Sequence, residues 1–263
     1  MKKLAIIFSI IFLFLLGFYF FVLRPDKYVE SDLYEDIMQR GVLKVGINTG
    51  AKPFGFIDSN GKVQGYDADL ARYIAQYLLN SPNNVEFVSV TPASRMLMAS
   101  TGEVDIIIAT MTITPQREEI IDFSIPYDAA GQALLVKSNS KITSISDLAG
   151  QNVGVIWGTT AEKNLLNLVP TANILGFKTY ADAYIALKNG QINAITSDDT
   201  ILSGFAMNDK GVKLLPKRYS REPYGIGFKK GKSSARLKEN IDLAIKDMKQ
   251  KNIITRIHKK WLG

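Results

Sequence analysis

The chain of 263 residues has no cysteine and only one histidine. The lack of cysteine excludes disulfides and thiolate metal sites. The lone His258 lies in a basic C-terminal tail, which argues against a Ser-His-Asp or Cys-His catalytic arrangement. The phosphate loop G-x-x-x-x-G-K-[ST] and a G-x-G-x-x-G run after a strand are both missing. We therefore expect no cofactor.

Basic residues exceed acidic ones, and the formal net charge is +7. They are scattered, however, and form no basic stripe with interleaved aromatic residues, so we expect no nucleic-acid partner. The hydrophobic fraction of 46% and the charged fraction of 22% are those of an ordinary globular protein. The length suits two lobes of ordinary size.

One long uncharged run stands near the N-terminus, from Leu4 to Leu23. In a helix it would extend ~30 Å, about the thickness of a bilayer core. Lys2 and Lys3 place its start in the cytoplasm, so the chain from Arg24 onward is predicted to be exported. The alternative is a cleaved signal peptide, but residues 19–24 offer no small-x-small cleavage site. We expect residues 1–25 to be a retained membrane anchor, with cleavage as the alternative.

Helices and strands are predicted to alternate in the exported part. Strands at 42–47, 86–90 and 104–109, the last buried on both faces, are separated by a helix that Asp67 can cap and by a second helix from about Pro92 to Ser100, which indicates βαβ units and a mostly parallel sheet. A similar pattern recurs after Val153, and helix–glycine–strand occurs twice, ending at Thr110 and at Asp198. The last helix is predicted from about Ser234 to Gln250, with a core face made of Leu237, Ile241, Ala244, Ile245 and Met248. The sequence thus predicts an α/β fold with two lobes whose polar strand ends line one crevice.

Arg117 is a candidate ligand-binding residue. Thr114-Pro115 suits the start of a helix and would place Arg117 in its first turn. A guanidinium can hold a carboxylate through two charge-assisted hydrogen bonds, and the hydroxyls of Thr110 and Thr112 lie nearby. The alternative is an ion pair with a neighbouring acidic residue on the helix surface.

Two further segments carry polar groups at strand ends. Gly158-Thr159-Thr160 opens a helix whose free N–H groups attract anions, although a simple threonine N-cap explains it equally well. Asp198 or Asp199 at a strand tip can accept a ligand ammonium, and the alternative is a cap for the next helix.

Several motifs, in the same order along the chain, resemble those of the polar amino-acid-binding proteins of ABC importers, solute-binding protein family 3. They are Gly65-Tyr66-Asp67-Ala68-Asp69-Leu70-Ala71, Thr112-Ile113-Thr114-Pro115-Gln116-Arg117, Asp122-Phe123-Ser124-Ile125-Pro126-Tyr127, Gly158-Thr159-Thr160-Ala161-Glu162, Tyr224-Gly225-Ile226-Gly227 and Lys260-Trp261-Leu262-Gly263. Together they cover nearly all of the exported chain.

The resemblance implies a type II periplasmic-binding-protein fold. Its first lobe would comprise residues 26–130 and the return segment 223–263, and its second lobe residues 131–222. Two hinge strands are expected near 127–131 and 220–224. The resemblance also implies a monomer on the outer face of the membrane that delivers an amino acid to an ABC permease.

The resemblance also implies residue roles. Arg117 would bind the ligand α-carboxylate with Thr112 and Thr160, and Asp198 would bind the α-ammonium with Thr110. Family members often have an aromatic residue where this chain has Ala51. Phe54, or else Phe56, is the candidate to compensate.

Arg95 is the candidate for specificity. The runs Thr91-Pro92-Ala93-Ser94-Arg95 and 197–205 resemble the glutamate/aspartate-binding branch, in which a matching arginine can meet the side-chain carboxylate. The alternative is an exposed helix arginine. We predict a binder of glutamate or aspartate. A cyclohexadienyl dehydratase-like enzyme and an anchored amino-acid receptor are the alternative functions.

Overall fold

The computed structural model describes residues 31–263. The predicted membrane segment, Leu4 to Leu23, lies outside the described residues. Among residues 31–263, no helix has the length and apolar character needed to cross a bilayer.

Short strands and helices alternate along the described chain. The strands are β1 (Leu43–Ile47), β2 (Gly50–Ala51), β3 (Gly55–Ile57), β4 (Val63–Gln64), β5 (Val85–Ser89), β6 (Ile106–Ile107), β7 (Ile121–Phe123), β8 (Asp128–Ala130), β9 (Gln132–Lys137), β10 (Asn152–Ile156), β11 (Asn173–Phe177), β12 (Ala194–Asp198), β13 (Val212–Leu214), β14 (Glu222–Tyr224) and β15 (Gly227–Lys229). The α-helices are α1 (Leu33–Arg40), α2 (Tyr66–Leu79), α3 (Arg95–Thr101), α4 (Pro115–Glu118), α5 (Ala161–Leu168), α6 (Tyr180–Asn189), α7 (Asp199–Asn208), α8 (Ala235–Gln250) and α9 (Ile253–Trp261).

Two five-stranded sheets organise these elements into two lobes. The first lobe has the order β5-β1-β6-β15-β7, and the second has the order β11-β10-β12-β9-β13. β1 runs parallel to β5 and β6, and β10 runs parallel to β11 and β12. The antiparallel strands β15 and β9 are the ones that follow a crossing from the other lobe. The predicted α/β architecture with mostly parallel sheets is confirmed.

The chain crosses between the lobes twice, and the two crossings pair with each other. β8 leads from β7 to β9, and β14 leads from β13 back to β15. β8 and β14 form an antiparallel ladder in which Ala130 faces Glu222 and Asp128 faces Tyr224. A joint made of two short extended segments can absorb backbone rotation while the sheets move as bodies.

The spacing of the apolar residues in helix α8 determines which face of the helix packs against the protein. The side chains predicted for its core face all have no solvent exposure; they are Leu237, Ile241, Ala244, Ile245 and Met248. This spacing places them on one side of the helix, against the first lobe.

Three local features differ from the sequence-based expectation. Helix α3 begins at Arg95 rather than near Pro92. Residues 91–94 form a turn instead, in which the Thr91 N–H donates to Ser94 Oγ at 3.0 Å. Residues 104–109 are buried as expected, but only Ile106 and Ile107 pair as a strand. The C-terminal tail forms helix α9, which the sequence analysis did not predict.

Candidate functional site

The strand ends of both lobes meet at one place. In the first lobe, β6 leads into residues 109–112, and α3 and α4 contribute Arg95 and Arg117. In the second lobe, β10 leads into residues 157–160 and β12 ends at Asp198. The predicted ligand residues are therefore brought together, with the exception of Phe54.

Arg117 occupies the first turn of α4, as the sequence predicts. Thr114 begins this helix by accepting the N–H of Arg117 on Oγ1 at 3.3 Å. The guanidinium is buried and donates from Nη1 to the Thr112 carbonyl at 2.7 Å. Its Nη2 donates to the Gly158 carbonyl of the second lobe at 2.9 Å. Arg117 thus joins the two lobes directly.

Arg95, the first residue of α3, is only 2% exposed, so it is not the surface arginine of the alternative interpretation. Its Nη1 donates to the carbonyls of Ala109 and Thr110, the latter at 3.2 Å, and its Nη2 donates to the Gly158 carbonyl at 3.5 Å. Nε has no hydrogen-bond partner among the described residues. Backbone carbonyls therefore engage most of this guanidinium and leave one free donor.

The two arginines place positive charge in a buried setting. Burial lowers the pKa of the Arg95 guanidinium and that of the Arg117 guanidinium, and the charge of Arg95 lowers the pKa of Arg117 further. Asp198 opposes this shift from the second lobe. The site thus favours binding of negative charge near the arginines.

Thr110 has an unusual backbone conformation with φ of 47°. A β-branched residue rarely adopts this left-handed conformation, because its side chain crowds the backbone. The Thr110 N–H donates to Asp67 Oδ2 at 3.1 Å, and the Thr110 hydroxyl donates to the Ala109 carbonyl at 2.8 Å. Strain of this kind is commonly found at ligand sites.

Asp67 has a different role from the helix cap expected of it. Gly65 is the N-cap of α2, and Asp67 is the second residue of the first turn, 1% exposed. Its carboxylate accepts from the Thr110 N–H and from the Tyr127 hydroxyl, the latter at 3.1 Å. Burial raises the pKa of the Asp67 carboxyl to about 7. Spacing along the helix could not reveal these partners, since both are distant in sequence.

Asp198 ends β12 and presents a buried carboxylate on the second lobe. Its Oδ2 accepts a hydrogen bond from the Tyr224 hydroxyl at 2.5 Å. Burial raises the pKa of the Asp198 carboxyl to about 6, while the hydrogen bond from Tyr224 acts in the opposite direction. Asp199 instead accepts from the Gly131 N–H at 2.9 Å and pairs with Arg218 at 2.6 Å, so it secures the interlobe segment.

The hydroxyl of Thr160 is engaged by a residue that the sequence analysis did not single out. Thr160 Oγ1 donates to Glu222 at 3.0 Å, and the Asn164 amide donates to the other Glu222 oxygen at 3.0 Å. Glu222 is 3% exposed and also accepts from the Ser220 hydroxyl at 2.6 Å. The start of helix α5 is thereby attached to the interlobe strand β14.

Phe54 lies in the core rather than beside the charged groups. It is fully buried and packs edge-on against Tyr224, with ring centroids 6.0 Å apart. Phe56 contacts Trp261 at 5.7 Å between centroids. Tyr180 is one of the aromatic residues near the charged groups, since Asp198, Arg95 and Arg117 all act on its hydroxyl, which lies 3.3 Å from Ser197 Oγ. Sequence reasoning missed Tyr180 because it reads as an ordinary first residue of α6.

A cavity of about 230 Å³ lies between the lobes, lined on one side by Asn48 and Pro92 and on the other by Tyr180. Asn48 is 6% exposed, and its Oδ1 accepts from the Gly50 N–H at 3.0 Å. Its Nδ2 is buried and has no partner among the described residues. The cavity wall therefore includes a neutral amide whose nitrogen is buried and has no protein partner among residues 31–263.

The site is suited to binding a small dipolar molecule. It combines buried cationic groups from one lobe with a buried carboxylate from the other. Within residues 31–263, no three histidine or acidic side chains are grouped so that they could hold a metal ion.

Comparison with known proteins identifies the family of residues 43–263. Residues 43–263 match the model of the bacterial extracellular solute-binding proteins, family 3. The ABC transporter glutamine-binding protein GlnH of Bacillus subtilis is 38% identical over 241 residues, covering 91% of this chain and 88% of that protein. A glutamine-binding protein of Geobacillus stearothermophilus is 43% identical over 202 residues, 76% of this chain and 77% of that one.

A solved structure extends the likeness to three dimensions. The cysteine-binding protein of Campylobacter jejuni superposes with a TM-score of 0.84 at 31% identity, over 88% of this chain and 93% of that chain. The predicted type II periplasmic-binding-protein fold is confirmed by this likeness. These relatives are binding proteins rather than enzymes. The chain belongs to family 3 of the bacterial extracellular solute-binding proteins.

Proposed function

We propose that this chain binds one polar amino acid between its lobes and delivers it to the permease of an ABC importer. Arg117 binds the α-carboxylate, and Asp198 binds the α-ammonium. The observation that carries the proposal is the placement of these two opposite charges, both buried, on opposite lobes of one crevice. A zwitterion that contacts both charges stabilises the closed arrangement over the open one.

We propose glutamine as the preferred ligand. Two relatives that cover most of this chain are named as glutamine-binding proteins. Asn48 lines the cavity between the lobes, and its side-chain amide is neutral, which suits an uncharged ligand side chain better than a carboxylate. The backbone carbonyls that engage Arg95 reduce the need for a second ligand carboxylate there.

Glutamate or aspartate, the prediction made from the sequence, is the second candidate. It is favoured by the free Nε of Arg95, which is buried and positively charged. A side-chain carboxylate at this place would gain a charge-assisted hydrogen bond. Glutamine and glutamate have side chains of equal length and differ at the end, where one carries a neutral amide and the other a carboxylate; aspartate is one methylene shorter.

Calorimetry with glutamine, glutamate and aspartate on the full chain separates the candidates. We expect wild type to prefer glutamine. Asn48→Asp replaces the donor amide by a carboxylate, so it should reject glutamate strongly while the ligand amide NH₂ of glutamine still finds an acceptor. Arg95→Gln should weaken glutamate more than glutamine. Wild-type preference for glutamate, lost in Arg95→Gln, would instead support the acidic ligand.

Binding rather than catalysis is the activity we propose. Turnover of a cyclohexadiene acid requires a cleft acid placed for proton transfer. Glu222 and Asp67 are buried acids near the site, but each is held by hydrogen bonds from protein groups. Consumption of such a substrate by the purified chain would contradict this choice.

A further inference from the structure

Two tyrosines stand side by side where the chain crosses between the lobes. Tyr224 belongs to β14, and Tyr127 directly precedes β8. The Tyr127 N–H donates to the Tyr224 carbonyl at 2.9 Å, and the ring centroids are 6.1 Å apart. Both side chains are buried, at 2% and 0% exposure. Their backbones therefore belong to the interlobe joint, whereas their hydroxyls reach into the lobes.

The Tyr224 hydroxyl reaches the second lobe. It donates to Asp198 Oδ2 at 2.5 Å and lies 3.3 Å from the hydroxyl of Thr200. Among the described residues, no other hydrogen bond reaches the Asp198 carboxylate. In particular, the Asp198 side chain makes no capping hydrogen bond to α7. The position of this carboxylate therefore depends on Tyr224.

The Tyr127 hydroxyl reaches the first lobe. It donates to Asp67 Oδ1 at 3.1 Å, and Asp67 Oδ2 accepts the N–H of Thr110 at 3.1 Å. Thr110 is the residue in the strained left-handed conformation, and its carbonyl accepts from Arg95. A chain of three hydrogen bonds thus runs from the joint to the ligand-binding segment of the first lobe.

We propose that Tyr127 and Tyr224 are positioning residues that fix one buried carboxylate in each lobe from the joint between them. The inference rests on the proposed function, in which Asp198 binds the ligand ammonium. It extends that function, because the geometry of the joint then determines the positions of Asp198 and of the Thr110 segment. Tyr224 keeps Asp198 ionised and oriented, and Tyr127 supports the Thr110 segment through Asp67.

The charge state of Asp198 gives a measurable consequence. Burial raises the pKa of this carboxyl, and the donor hydroxyl of Tyr224 holds it lower than burial alone would. The other charged or titratable groups that act on it are Glu222, Arg95, Asp199, Arg117 and Tyr180. Since Tyr224→Phe removes none of these, the variant should raise the pKa of Asp198 through the lost hydrogen bond alone.

The test uses Tyr224→Phe and Tyr127→Phe, with Tyr73→Phe as the matched control. Tyr73 also donates to a carboxylate, Asp247 Oδ2 at 2.6 Å, but lies on α2 and contacts α8, away from the joint. Glutamine binding to the full chain is measured by calorimetry from pH 5 to pH 8. Thermal unfolding of each variant shows that it is folded.

We expect Tyr224→Phe to weaken glutamine binding about tenfold at pH 7, the effect of losing a hydrogen bond to a charged group. The pH below which its affinity falls should also move upward. Tyr127→Phe should weaken binding without changing the pKa of Asp198, and Tyr73→Phe should match wild type. Wild-type affinity and an unchanged pH limit in Tyr224→Phe would overturn the inference.

A second measurement needs no ligand. Titration of the Asp198 carboxyl carbon by nuclear magnetic resonance should give a higher pKa in Tyr224→Phe than in wild type. An unchanged pKa overturns the inference even if glutamine proves to be the wrong ligand. Failure of wild type to bind any amino acid would instead count against the proposed function.

Discussion

The guanidinium of Arg117 in the first lobe donates to the carbonyl oxygen of Gly158 in the second lobe at 2.9 Å. Gly158 has φ of 83°, and a Cβ atom at this position would lie 2.4 Å from the carbonyl oxygen of Pro92. The two lobes therefore approach each other so closely that only glycine fits between them. The lobes are therefore in a closed arrangement, in which backbone atoms as well as long side chains of the two lobes are in contact.

Gly158→Ala should therefore hinder closure. We expect glutamine binding to weaken at least tenfold and small-angle scattering to show a larger radius of gyration, because the methyl group cannot fit against backbone atoms. The matched control is Gly150→Ala, since Gly150 has φ of 70° but no atom within 4 Å of its Cβ position. Equal affinity in the two variants would show that the Gly158 contact has no role in closure.

The pKa of Asp198 predicts how binding depends on pH. Its carboxyl has a pKa raised to about 6, so it is mostly ionised at pH 7 and becomes protonated as the pH falls through 6. Protonation removes the charge that binds the ligand ammonium, so affinity should fall by up to ~tenfold for each pH unit below 6. Calorimetry at pH 5, 6, 7 and 8 checks this. Constant affinity from pH 8 to pH 5 would contradict the role of Asp198.

Because the backbone of Thr110 is strained, we expect its replacement by glycine to raise stability and to weaken ligand binding. Thr110→Gly relieves a left-handed conformation that costs about 1–2 kcal/mol, partly offset by the greater freedom of glycine in the unfolded chain. We expect the free energy of unfolding to rise slightly while glutamine affinity falls, because the hydroxyl is lost. Asn80→Gly is the control, since Asn80 has φ of 57° and asparagine tolerates it. A clear loss of stability in Thr110→Gly would disprove the strain.

The sequence predicted those parts of the site that depend on local signals. Thr114-Pro115 fixed the start of α4 and thereby the place of Arg117, and the glycine before Thr159 marked the turn into α5. The strand that ends at Asp198 was predicted from its β-branched run and the glycine before it. Each of these features arises within about ten residues of chain.

The parts that the sequence did not predict depend on contacts between distant segments. Asp67 is 43 residues from Thr110 and 60 from Tyr127, so helical spacing indicated only a cap. Tyr224 is 26 residues from Asp198, and its hydroxyl gives no periodic signal. The buried setting of Arg95 depends on the carbonyl of Ala109, which follows β6, and on the carbonyl of Gly158 in the other lobe. Such partners become visible only when the fold is known.

The N-terminal segment is tested separately. We expect residues from Leu4 to Leu23 to remain attached in membrane-associated protein from the native host, since no small-x-small site follows the apolar run. Mass spectrometry of the intact protein measures the mature N-terminus. A terminus between Tyr19 and Ser31 would show cleavage and refute the anchor, while leaving the predicted export unaffected.

The central claim is that Arg117 and Asp198 bind the two charges of an amino acid from opposite lobes, and calorimetry of the full chain with glutamine tests it most directly. Arg117→Ala and Asp198→Ala should each lose about 2–5 kcal/mol of binding free energy, because each leaves one ligand charge buried without a partner. Arg236→Ala, which breaks an exposed pair with Glu35, is the control and should bind as wild type does. The claim would be contradicted if wild type binds glutamine and either site variant binds it equally tightly.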